Sequence, residues 1–180
     1  PDRGGGAVRL VVCSMARTVR NAGRPASVVV NYERFWKRYL LGFDEVVVLS
    51  LQFEEENPDA RPVEGPGVRM VPVPGFREPL GALRHLRTIL RTLDEVYDEE
   101  SAFILRCPNL LSDLLYHKLR KRRHPYGLEL AGDPQLTFSR EGNPHPLQPL
   151  WLWHFTRSAR IECRNACAVA YTSRQQQQRY

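Results

Sequence analysis

The chain reads as an α/β protein built on a mostly parallel, Rossmann-like sheet with helices on both faces, and three observations predict it. Short runs dense in Val, Leu and Ile recur along the chain, apolar on successive rather than alternate residues, as strands buried on both faces are. Segments with apolar residues three and four apart lie between them. The two patterns alternate, and alternation calls for parallel strands joined by helical crossovers.

Each element follows in order. Val8–Ser14 predicts the first strand, and Thr18–Ala26, polar and carrying Gly23 and Pro25, predicts a loop at its carboxyl end, where open α/β sheets bind ligands. Asn31 is placed to cap a helix with Tyr32, Phe35, Trp36, Tyr39 and Leu40 as one aromatic stripe, stopped by Gly42. Glu45–Leu51 predicts the second strand, and Gln52–Gly67, rich in Glu, Pro and Gly, an exposed connection. Val68–Val73 predicts a third strand, which Pro72 and Pro74 push to a sheet edge.

Leu83, Leu86, Leu90, Leu93 and Tyr97 then recur at helical spacing. Ala102–Cys107 predicts the fourth strand, followed by a helix that Pro108 or Asn109 opens, with Leu111, Leu114, Leu115 and Leu119 inward. Tyr126–Ala131 predicts the fifth strand, broken by Gly132, Asp133 and Pro134, and a loop with Gly142, Pro144 and Pro146 follows. A long helix is expected from Leu147 to about Arg164, a sixth strand at Ala168–Tyr171, and a capping box at Ser173 and Gln176.

With 180 residues, 42% of them hydrophobic, one domain with a real core is expected over residues 1–180, with residues 1–6 a tail. The net charge of +6 favours anionic partners, and much of it sits in Lys118, Arg120, Lys121, Arg122 and Arg123. No apolar window is long enough for a membrane span and the first residues hold no signal-peptide core, so a cytoplasmic location is expected. Four scattered cysteines suit reduced thiols. Cys163, Cys167 and His154 lack a second ligand pair, so no metal is expected. Gly4, Gly5 and Gly6 precede the first strand rather than follow it, and cannot serve as a dinucleotide fingerprint.

Arg106, Cys107 and Pro108, then Pro125, Tyr126, Glu129, Gly132, Asp133 and Pro134, then Ala166, Ala168, Thr172, Gln177 and Tyr180 together resemble the amino-terminal domain of bacterial family 4 glycosyltransferases of the GT-B fold. The segment Asn31–Ser50 looks like that family's first helix and second strand. The resemblance covers nearly the whole chain and rests on order and spacing rather than on one motif. It implies a two-domain enzyme whose carboxyl-terminal half binds a nucleotide-sugar donor, while the half shown here holds a glycan or lipid-linked acceptor. This fragment would be inactive alone and would need no cofactor. Family glutamates separated by seven residues lie in the other half, and the same gap between Glu56 and Glu64 is read as chance.

No catalytic residue is assigned. Acceptor binding is expected of Glu129, Asp133, Asn109 and Arg106. For Glu129, a carboxylate in an apolar strand, an internal ion pair with Arg106 is the competing reading. Asp133 competes with a plain turn aspartate, Asn109 with a helix cap, and Asp133→Ala is expected to leave folding nearly unchanged. Arg20, Gly23 and Arg24 of the first loop are expected to meet a phosphate, with solvated arginines as the alternative. Trp151, Trp153, His154 and Phe155 suit either core packing or, beside the basic patch, a sugar ring or the inner membrane face. A sugar-nucleotide epimerase and a non-catalytic anion- or nucleic-acid-binding module remain as other readings. The first needs more acid/base residues, and the second interleaved basic and aromatic residues; nucleic acid is not expected as a partner.

Overall fold

The structure, a computed structural model, describes residues 8–77, 79–139 and 145–180. The expected tail and most of the loop with Gly142 and Pro144 lie outside these residues. The chain is α/β, and its strands pair mostly in parallel. By contacts it divides into two compact units, Pro1–Phe103 and Ile104–Tyr180. No helix among the described residues is long and apolar enough to cross a membrane.

In the first unit β1 (Arg9–Asn21), β3 (Glu45–Glu56) and β5 (Val68–Pro74) are parallel, while β2 (Arg24–Ser27) runs antiparallel to β1 and to the short β4 (Arg61–Pro62). Leu10 to Cys13 and Val46 to Leu49 are fully buried on successive residues, as their unbroken apolar runs require. β5 pairs with β3 alone, at an edge that suits Pro72 and Pro74, since neither can donate to a ladder.

Three expectations change here. Gln52–Gly67 is not one exposed connection: β3 runs on to Glu56, Arg61–Pro62 forms β4, and Ala60 and Val63 are buried. Thr18–Ala26 is not an open loop: β1 continues to Asn21, turns at Ala22 and Gly23 and returns as β2. Both turn residues have positive φ, 49° and 73°, the geometry that tight two-residue hairpins need. The aromatic helix is instead a turn followed by a 3₁₀ helix, Trp36–Leu41. Asn31 does not cap that helix, whose N-cap is Phe35 without a side-chain bond; its Oδ1 accepts from the Arg34 amide at 3.1 Å and closes the preceding turn. In a 3₁₀ helix residues three apart eclipse, which stacks Trp36 on Tyr39 with ring centroids 6.3 Å apart. Trp36 is fully buried and its Nε1 donates to Val30 O at 2.9 Å, so the stripe is core at that residue, while Leu41 faces solvent.

A 3₁₀ helix, Pro79–His85, leads into α1 (Leu86–Glu95). Its inward residues are Ile89 and Leu93, continued by Val96, whereas Leu83 is exposed because the α-helical period begins only at Leu86.

The second unit holds β6 (Ala102–Cys107), β7 (Gly127–Leu130) and β8 (Ala168–Tyr171), paired in parallel from Ile104 onward. The crossovers are α2 (Leu110–Lys121) and α4 (Gln148–Asn165), with the single turn α3 (Pro134–Thr137) after β7 and α5 (Arg174–Arg179) after β8. Burial in β6 and β7 alternates: Phe103, Leu105, Cys107, Leu128 and Leu130 are buried and the residues between them half-buried. Such alternation marks two unlike sheet faces. α2 and α4 lie side by side, joined through Asp113 and His154, so both crossover helices cover the same face. Tyr126 ties this layer to the sheet, its hydroxyl donating to Glu162 O at 2.7 Å. Phe155 stacks on Phe138 with centroids 4.4 Å apart, and burying a side chain of that size stabilises by about 1.5 to 3 kcal/mol.

Candidate functional site

Open parallel sheets bind ligands beyond the carboxyl ends of their strands, and in the second unit those ends carry most of the expected residues. β6 runs out into Asn109, which caps α2: its Oδ1 accepts from the Ser112 amide at 2.8 Å, and its Nδ2 donates to Arg106 O. The Asn109 amide is thus engaged at both ends in starting the helix rather than presented to an acceptor. β7 runs out through Gly132 to Asp133, whose Oδ1 accepts from the Gln135 amide at 2.9 Å and caps α3.

Asp133 does more than turn the chain. Its Oδ2 accepts from Arg179 Nη1 at 2.6 Å and its Oδ1 from the Tyr180 hydroxyl at 2.8 Å. The carboxylate is 8% exposed and ties α5 back to the end of β7. Burial, then the bond to Asp133, pushes the Tyr180 phenol up to about 12. Ser173 caps α5 as expected, accepting from the Gln176 amide at 3.2 Å. The reciprocal bond falls one residue earlier than a standard capping box, Gln176 Oε1 accepting from the Thr172 amide at 3.0 Å.

Arg106 and Glu129 are register partners on neighbouring strands, and Arg106 Nε meets Glu129 Oε2 at 3.0 Å. Of the two readings of Glu129, this is the internal ion pair. The side chains are 15% and 20% exposed, so removing one charge takes this partner from the other in a half-buried setting. Glu129→Gln is expected to lower the unfolding free energy by about 1 to 2 kcal/mol, whereas Arg106→Met with Glu129→Leu recovers most of the loss. Urea unfolding of the single and double variants measures it, and a double variant no better than the single would contradict the pairing.

In the first unit the expected phosphate loop is the hairpin turn. Arg20 Nε and Nη2 bond Glu54 at 2.8 and 3.2 Å, and its Nη1 donates to Gly23 O at 3.3 Å. A guanidinium so held by a carboxylate has little charge to offer a phosphate. Arg24 is exposed beside a shallow pocket of about 400 Å³ that also takes in Glu64 and Arg69. Arg120, Lys121, Arg122 and Arg123 stand exposed at the end of α2, with Lys118 half-buried.

A cluster that the sequence reading did not assemble lies between α2 and α4. Asp113 Oδ2 faces His154 Nε2 at 2.8 Å and accepts from Ser158 Oγ at 3.3 Å. The bond to Asp113 raises the His154 pKa. Glu162, two turns along α4 from His154, is 1% exposed, and among the described residues no donor meets its carboxyl oxygens. Burial first, then repulsion from Asp113, raises its pKa to about 10, so it is a neutral acid at ordinary pH. Its burial was legible: Glu162 follows Phe155 and Ala159 at helical spacing on one inward face.

The aromatic cluster separates. Phe155 is core, His154 serves Asp113, and Trp153 is 60% exposed, with Arg157 lying 5.9 Å from the centre of its ring. No family model matches this chain, and no curated protein matches it significantly, so the site stands on its own geometry.

Proposed function

We propose that the chain is the acceptor-side, Rossmann-like half of a GT-B glycosyltransferase that moves a sugar from a nucleotide-sugar donor to a glycan or lipid-linked acceptor. The observation that carries this reading is that residues from separate pieces of the resemblance bond one another at the ends of parallel strands. Arg106 pairs with Glu129, and Tyr180 with Asp133. Residues far apart in sequence thus form one rim of a kind on which α/β sheets place ligands. The basic run Lys118–Arg123 suits work beside anionic headgroups at the inner membrane face.

In this reading the residues orient an acceptor and exclude water from it, while the partner domain holds the donor. The test is transfer of labelled sugar by the full-length protein, with a panel of nucleotide diphosphate sugars and with oligosaccharide and lipid acceptors. Consumption of a donor that depends on added acceptor supports the proposal. Donor consumption no faster than the protein-free blank, across the panel, sinks it.

A further inference from the structure

The flank of α4 turned away from Asp113 and Glu162 borders an open groove of about 950 Å³, and its chemistry is specific. Arg157, Arg160 and Arg164 line it, all exposed. None of the three forms an ion pair with a described residue; Arg157 lies near the Trp153 ring, and Arg160 lies 6.0 Å from the centre of the Tyr180 ring. The nearby acids among the described residues do not neutralise them. Asp133 is held by Arg179 and Tyr180, and Glu162 is buried on the other side of α4 in neutral form.

Three guanidinium groups on one helical flank, unpaired with any described acid, repel one another, an arrangement that an anionic occupant relieves. Along the helix axis they stand about 4.5 and then 6 Å apart, a ladder rather than a single phosphate clamp. That spacing suits a linear chain bearing one anionic group per repeat. Trp153, in the same groove, offers an indole face, and the exposed Gln135 offers an amide that both donates and accepts. An indole face and an amide are what sugar C–H faces and hydroxyls use. The groove is concave, whereas a bilayer presents a broad surface.

We infer that this groove receives an acidic oligosaccharide, a linear glycan carrying carboxylate or sulfate groups, with the anions on Arg157, Arg160 and Arg164 and a sugar ring against Trp153. As the identity of the acceptor, this inference rests on the transfer reading above; as a binding site, it stands on the groove.

The test is calorimetric titration of the protein with oligogalacturonate and with a sulfated hexasaccharide. Maltohexaose, oligouridylate, pyrophosphate and phosphatidylglycerol vesicles serve as comparisons. Acidic oligosaccharides are expected to bind at least about tenfold more tightly than maltohexaose or oligouridylate at low salt. Replacing Arg157, Arg160 and Arg164 together by Gln is expected to weaken that binding by about thirtyfold or more, with an unchanged unfolding midpoint. Trp153→Ala is expected to weaken oligosaccharide binding about tenfold and leave pyrophosphate untouched.

Equal or tighter arginine-dependent binding of oligouridylate or vesicles overturns the inference, and so does a triple variant that binds the acidic glycan normally. If the full-length protein transfers sugar to a neutral acceptor and the triple variant does so equally well, the groove's assignment as the acceptor site fails while the transfer reading stands. If acidic glycan binds through these arginines but no donor is consumed, the transfer reading fails and the site remains.

Discussion

Replacing Glu162 by glutamine is expected to stabilise the protein at about pH 8 by roughly 2 to 4 kcal/mol, and to leave it nearly unchanged or slightly weaker near pH 5. The sign follows from the direction of the shift. Glu162 is raised from 4.5 to about 10 in the folded chain, chiefly by burial. Above the unfolded value the native state therefore binds the extra proton, and stability falls as pH rises between those two limits, by at most about 1.4 kcal/mol per unit. His154 acts in the same sense. Its raised pKa contributes stability that is complete below the unfolded value of 6.5 and is lost as pH rises through the folded one.

Glutamine keeps the shape and removes the ionisation, so the variant has the flatter profile. Urea unfolding at several pH values gives both curves. Parallel curves for the two proteins would mean that Glu162 is already charged in the native state, contrary to a carboxyl group 1% exposed with no donor among the described residues at its oxygens.

Asp133→Ala is expected to lower the unfolding free energy by about 2 kcal/mol and to free α5, because one truncation removes the α3 cap and both anchors of the last helix. This corrects the expectation from sequence that the change spares folding. Asp133→Asn keeps the cap and loses the charge on Arg179, so it should cost about half as much. Hydrogen exchange separates the effects: amides of Gln176 to Tyr180 exchange faster in the alanine variant than in wild type. Unchanged exchange there would show that α5 holds without Asp133.

What was legible in the sequence is what local chemistry decides. The ends of Ala102–Cys107 and Ala168–Tyr171 follow from apolar runs bounded by proline and polar residues, and the Asn109 and Ser173 caps follow from side chains that satisfy amides three residues on. The Arg106–Glu129 pair was one of two readings, since a charge within an apolar strand needs a counter-charge and the neighbouring strand offers one.

The hairpin was missed because β1 continues through Arg17, Thr18 and Arg20, whose polarity suggests a loop. Those residues stay in a strand because β3 supplies Leu51 O to the Thr18 hydroxyl and Glu54 and Glu55 to the two arginines, partners more than thirty positions away. Trp153 and the arginines of α4 were each visible. Their common flank became a feature only when Asp113 and Glu162 fixed which side of α4 faces inward.

The pairing of β1 with β3 slips twice. Between Cys13 and Arg17 the register gains two residues on β1, and between Thr18 and Arg20 it gains two on β3, so the displacements cancel. The ribbon is thereby split into an oily stem, Leu10 to Cys13 against Val46 to Leu49, and an ionic tip clasped by Arg17–Glu55 and Arg20–Glu54. Dissolved ions shorten the Debye length to about 3 Å at molar salt, within the reach of an exposed ion pair, and leave oily contacts alone. Brine therefore loosens the tip and spares the stem, and this one ladder frays from its far end inward.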